Sequence, residues 1–125
     1  MAEHNDLGKW GEDEAVRFLE EKGYEIIDQD WRMGKRDLDI IALNEDRDTV
    51  VFVEVKTRSD DDYQEPEEAV DVMKMRNLAI AANAYVKKYN LDWDVRFDII
   101  SVIGCRSHVE NINHFEDAFN PLLIL

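Results

Sequence analysis

The chain has 125 residues, 45% of them apolar, which suits one domain over residues 1–125 with a core of its own and excludes wholesale disorder. Its single cysteine, Cys105, excludes an internal disulfide, and no window reaches the roughly 18 consecutive apolar residues of a membrane span. A formal net charge of −14 repels phosphate backbones at long range and argues against a general nucleic-acid-binding surface.

The leading residues 1–10 contain no apolar signal-peptide core, so a cytoplasmic protein is expected. Leu7, Trp10, Ala15, Phe18 and Leu19 share one helical stripe, predicting a helix from Leu7 to about Lys22. Asn5 or Asp6 can cap its start, and Gly23 stops it. A short strand over 24–27, able to run toward Trp31, comes next, and residues 32–36 read as a turn. Alternation over 37–43 places Asp37, Asp39, Ile41 and Leu43 on one face of a second strand. The polar run 44–48 is a hairpin loop.

The returning strand, 49–57, sets Phe52, Glu54 and Lys56 on one face and Val51, Val53 and Val55 on the other. With apolar residues on both faces it should be central. An acidic loop follows, containing Asp60, Asp61, Asp62 and Glu65, and Pro66 suits a first helical position. The helix should run to about Tyr89, with Val70, Met73, Asn77, Ile80, Ala81 and Ala84 near one stripe. A last strand covers 95–103, and 109–112 can add a short extra one. The expected class is α/β, an αβββαβ three-layer sandwich around a central mixed sheet.

Two strands joined by a hairpin are antiparallel neighbours. Counting outward from the loop, Asp39 falls roughly opposite Glu54, and Lys56 lies on the same face as Glu54. Carboxylate oxygens suit Mg²⁺ or Mn²⁺, which polarises a phosphoryl oxygen and activates water. A neighbouring lysine can orient that water or stabilise transition-state charge. Glu-x-Lys alone carries little information, since about half a chance match is expected in a chain of this length. Its place at the end of an apolar strand, with an acid on the hairpin partner, is what gives it weight. The plainer reading is that Lys56 pairs with Asp39 across an exposed strand end.

Three motifs in order resemble the YraN family of uncharacterised bacterial proteins. A Gly-x-x-Gly-Glu-x-x-Ala helix is matched by Gly8, Gly11, Glu12 and Ala15. A Gly-Glu-Ile-Asp-Leu-Ile strand is matched by residues 36–41, and a Phe-Val-Glu-Val-Lys-x-Arg strand by residues 52–58. Lys74 and the strand of Asp98 match as well. The core order is similar to that of the PD-(D/E)XK nuclease superfamily, with its restriction-endonuclease-like fold. The resemblance implies a Mg²⁺- or Mn²⁺-dependent endonuclease that hydrolyses phosphodiester bonds of DNA, branched or damaged, in repair or recombination. Asp39 and Glu54 would hold the metal and Lys56 would assist the nucleophile. Similarity to archaeal Holliday junction resolvases adds Glu12 to the metal site and suggests a homodimer.

Arg58 and Lys74 are candidates for phosphate binding, although an ordinary solvated helix face explains Lys74 as well. The alternative function is a catalytically silent module on the same fold, binding nucleic acid or a protein partner. Hydrolysis of a small phosphodiester is a third reading, but the five glycines form no phosphate-binding loop. The family's Gly-Glu is Arg36-Asp37 here, which leaves Asp37 either supporting Asp39 or marking the strand's exposed start. His4, His108 and His114 lack ligand spacing and read as surface residues. Cys105 reads as a small buried hydrophobe and the three tryptophans as core or rim.

Overall fold

A computed structural model describes residues 2–59, 72–105 and 108–120 of the chain, with side chains from Leu7 onward. Helix α1 (Ala2–Glu21) begins five residues ahead of the expected Leu7. It ends where expected: Gly23 takes φ 93°, and the N–H of Tyr24 donates back to the Leu19 carbonyl at 3.0 Å. Ala15 and Leu19 are fully buried against Ile40, Ala42, Val51, Val53, Ile100 and Val102. Trp10 and Phe18 close the margin of this layer.

The sheet has five strands whose spatial order follows the sequence: β1 (Glu25–Met33), β2 (Arg36–Leu43), β3 (Thr49–Arg58), β4 (Asp94–Cys105) and β5 (His108–Phe115). All neighbours are antiparallel except β3 and β4, which run parallel. The crossover between those two carries α2 (Val72–Lys88). Central β3 is apolar on both faces, as its composition requires. β1 is longer than expected, so the turn shrinks to Gly34 and Lys35, with Gly34 at φ 63°. The short extra strand expected over 109–112 is a full edge strand. The acidic loop and Pro66 lie outside the described residues.

Opposite α1, Leu38, Ile41, Phe52, Phe97 and Ile99 pack under α2. The helix buries Leu78, Ala81, Ala82 and Tyr85, an i, i+3, i+4, i+7 set, while Met73 is 61% exposed. The expected stripe was therefore rotated: it took Met73 as buried and omitted Leu78 and Tyr85. An Arg36 Nε–Asn77 Oδ1 hydrogen bond of 3.2 Å ties α2 to the start of β2. With one helix on each face the architecture is the α/β/α sandwich expected, of the restriction-endonuclease-like kind. Among the described residues no helix is long and apolar enough to cross a membrane.

One irregularity positions the site. Strict alternation would set Leu38 and Ile41 on opposite faces, yet both pack in the same cluster. The β1–β2 pairs run Gln29↔Ile40 and Trp31↔Leu38, stepping over Asp30 and Asp39, and Asp30 has φ 50°. The β2–β3 pairs run from Leu43↔Val50 to Ile40↔Val53. At Asp39, then, the regular ladder gives way.

Candidate metal centre

Where the ladder gives way, a side chain takes over from the main chain: Asp39 Oδ2 accepts the Val55 N–H at 2.9 Å. Continuing the register places Asp39 opposite Glu54, as counted from the hairpin. Glu54 is only 5% exposed. Its Oε1 lies 3.5 Å from both Lys56 Nζ and Lys74 Nζ, so Lys56 pairs with its strand neighbour and not with Asp39. The end of β3 thus points a buried carboxylate and a lysine toward α2.

Glu12 arrives from the other layer. Gly11 is buried, and a Cβ there would stand well inside contact of Thr57 Oγ1 and 2.8 Å from its Cγ2. Only glycine lets α1 approach the sheet this closely. Gly8, the motif's other glycine, has open space around its Cβ position. Close approach brings a Glu12 oxygen within 4.8 Å of oxygens on Asp39 and Asp30.

All the expected residues line one cleft of about 300 Å³: Glu12, Asp39, Glu54, Lys56, Arg58 and Lys74, with Asp37 beside them. A larger, mostly apolar groove of about 470 Å³ lies between α2 and β4, lined by Val86, Val95 and Phe97 among others. It gathers no ionisable side chains, so size alone is a poor guide to the chemistry here. Asp30 was not singled out from sequence. The β1–β2 register on either side of it sets Asp30 across from Asp39, within reach of Glu12.

The electrostatics follow from crowding acids in a partly buried space. Burial, then the Asp30 carboxyl, push Glu12 up to about 8. Burial, then the charge of Glu54, push Asp39 up to about 8, against the pull of the Val55 N–H. Burial pulls Lys74 down, but Glu54, Asp37 and Asp39 outweigh it and hold the ammonium above its usual range. Glu12 Oε1 and Glu54 Oε2 are shut off from solvent and find no hydrogen-bond partner among the described residues. Orphaned carboxylate oxygens at an all-oxygen site fit a hard divalent cation, which would neutralise the repulsion and displace shared protons.

Two residues behave otherwise than expected. His114 is not a surface residue: its side chain is 3% exposed, with Nε2 2.7 Å from Asp98 Oδ2. Asp98 and Lys22 pair its two ring nitrogens, which lets it sit inside, and Phe18 and Tyr24 meet the ring edge-on. Cys105, expected inside, is exposed because it ends β4 where the strand leaves the sheet. His108 is exposed as expected, and the His4 side chain lies outside the described residues.

A mixed α/β sandwich with acids and lysines gathered at one end of its sheet is the class defined by fold and cleft. The chain belongs to the uncharacterised protein family UPF0102, whose model matches residues 11–102. It is 50% identical over 123 residues to a UPF0102 protein of Bacteroides thetaiotaomicron, covering 98% of this chain and 99% of that one. It is also 50% identical over 119 residues to UPF0102 protein FP2501 of Flavobacterium psychrophilum, covering 95% and 98%. A UPF0102 protein of Porphyromonas gingivalis is 46% identical over 125 residues, covering 99% and 90%.

Proposed function

We propose that this protein is a metal-dependent endonuclease of the PD-(D/E)XK type, hydrolysing phosphodiester bonds of DNA, branched or damaged, in repair or recombination. The observation that carries the reading is the convergence of Glu12, Asp39 and Glu54 with Lys56 and Lys74 in one cleft. Asp39, Glu54 and Glu12 would hold Mg²⁺ or Mn²⁺. When bound, such an ion polarises a phosphoryl oxygen and lowers the pKa of a water. Lys56, half-buried and anchored on Glu54, would orient the attacking water and stabilise charge as it develops. Arg58 and Lys74, on β3 and α2, face the cleft where a phosphate's remaining oxygens would lie.

Cleavage of a junction or flap substrate with Mg²⁺ or Mn²⁺ tests this. Asp39→Asn and Lys56→Ala should each lower the rate at least 100-fold, and equal cleavage by wild type and both variants would sink the reading.

The second reading, a catalytically silent module, is favoured by the net charge of −14 and by the two lysines already engaged with Glu54. No affinity for DNA or RNA at about 50 mM salt, with or without metal, would point to a protein partner instead.

A further inference from the structure

We infer that Asp30 is a ligand of the cation and that the ion sits on the α1 side of Asp39, bounded by Glu12, Asp30 and Asp39. This rests on the reading of the cleft as a metal site. Glu12, Asp30 and Asp39 each offer one oxygen, and the three oxygens lie within 4.8 Å of one another. Oxygens sharing one Mg²⁺ at about 2.1 Å stand about 3 to 4.2 Å apart. At least two of the three pairs must be of the shorter kind, so the carboxylates draw together by up to about 1.8 Å on binding, within reach of side-chain rotation. Asp39 has Oδ2 occupied by the Val55 N–H, which fixes the plane of the carboxylate.

An acidic cluster can be nothing more than exposed charge, so a separate sign of a ligand is needed, and Glu54 supplies it. This carboxylate is 5% exposed, lines the same cleft, and directs Oε1 to two lysines while Oε2 finds no hydrogen-bond partner among the described residues. A cation held by its neighbours is what such an oxygen lacks. With its Oε1 on Lys56 and Lys74, Glu54 has one oxygen left for the ion, and Asp30 adds a carboxylate beside Glu12 and Asp39. Glu54 then joins the ion through Oε2 or through a bound water. The backbone agrees: β1 steps over Asp30 in its pairing with β2, and Asp30 takes φ 50°, a conformation Asp and Asn accept better than most residues.

The decisive variant is Asp30→Asn, which keeps the shape and the left-handed backbone and removes only the anionic oxygen. Asp30 is exposed, so the substitution does not open the core. Binding is read as free Mn²⁺ by electron paramagnetic resonance, with thermal unfolding in the absence of metal as a check on folding. Asp30→Asn should weaken Mn²⁺ binding 10- to 100-fold and leave metal-free unfolding within 2 °C of wild type. Asp94→Asn, which removes an exposed acid elsewhere, should change Mn²⁺ binding less than twofold. If wild type binds Mn²⁺ and Asp30→Asn binds it equally well, the assignment of Asp30 is wrong while the metal site stands. If Asp94→Asn weakens binding as much as Asp30→Asn, the effect is one of net charge and the assignment is again wrong. If wild type binds no Mn²⁺ at millimolar concentration, the metal reading itself fails and this inference with it.

Discussion

At the scale of single residues, a buried carboxylate with several hydrogen-bond partners lies away from the cleft. Asp98, fully buried on β4, takes a bidentate pair of hydrogen bonds from Arg96 at 2.9 and 2.8 Å, one from the Asp117 N–H at 3.0 Å, and His114 at 2.7 Å. Arg96 also donates to Tyr24 Oη at 2.7 Å, and Lys22 reaches the other ring nitrogen of His114 at 2.8 Å. Burial alone would raise Asp98, but His114, Arg96 and the Asp117 amide outweigh it and hold the carboxyl below its usual range. A depressed carboxylate stabilises the fold fully above about pH 4, and that contribution is lost as pH falls through the lower folded value. Asp98→Asn should therefore cost about 3 kcal/mol at pH 7. Urea unfolding should also show that the variant loses less stability than wild type between pH 5 and pH 2.5. Equal slopes would mean that Asp98 does not control the acid limb. The strand of Asp98 was legible in the sequence, but its partners were not. They come from β4, β5 and the turn after β5, with Lys22 and Tyr24 just past α1 behind them, and no spacing rule links positions 22, 24, 96, 98, 114 and 117.

At the scale of elements, the contact between α1 and β3 decides whether the acids meet. Gly11 lies against Thr57, whose branched Cβ leaves it few ways to move aside. Gly11→Ala should destabilise the protein by about 1–3 kcal/mol and weaken Mn²⁺ binding, because the helix must lift and carry Glu12 with it. Thr57→Ala in the same chain removes the two nearest atoms and should restore part of both losses, the Thr57 Cβ still lying 2.9 Å from the new methyl. Gly8→Ala, with open space around the new methyl, should be neutral or stabilise by up to about 1 kcal/mol, the helix preference for alanine. Calorimetry on the four proteins checks the set, and equal losses for the Gly8 and Gly11 variants would refute close approach as the reason. The motif made both glycines look alike; their opposite surroundings exist only once the helix is docked.

At the scale of the whole molecule, the charge of −14 limits how DNA would be held under the proposed nuclease function. Lys56, Arg58 and Lys74 are the cations lining the cleft, so counterion release should be small. DNA affinity measured from 50 to 200 mM salt in the presence of Mg²⁺ should fall with a log–log slope no steeper than about −3, the value for roughly three phosphates. A slope near −6 would require a basic surface that the cleft does not supply. Under the same proposal, the acidic body would make the cation the main attraction for a phosphate and would couple binding to metal more tightly than in a basic nuclease.

The sequence by itself determined the class of fold, because period-2 alternation and the 3.6-residue stripe are local properties. It also placed Glu54 and Lys56 on one face of a central strand, since i and i+2 always share a face, and it brought Asp39 opposite them through a short hairpin. The tertiary structure alone decided the rest. The docking of α1 brought Glu12 to Asp39, the β1–β2 register set Asp30 across from Asp39, and the packing of α2 set Lys74 on Glu54. Each of these depends on the distance between elements far apart in the chain, fixed by which side chains fill the space between layers. Of the residues 49–58, the sequence says that a carboxylate and a lysine leave the core together; the fold says what they meet.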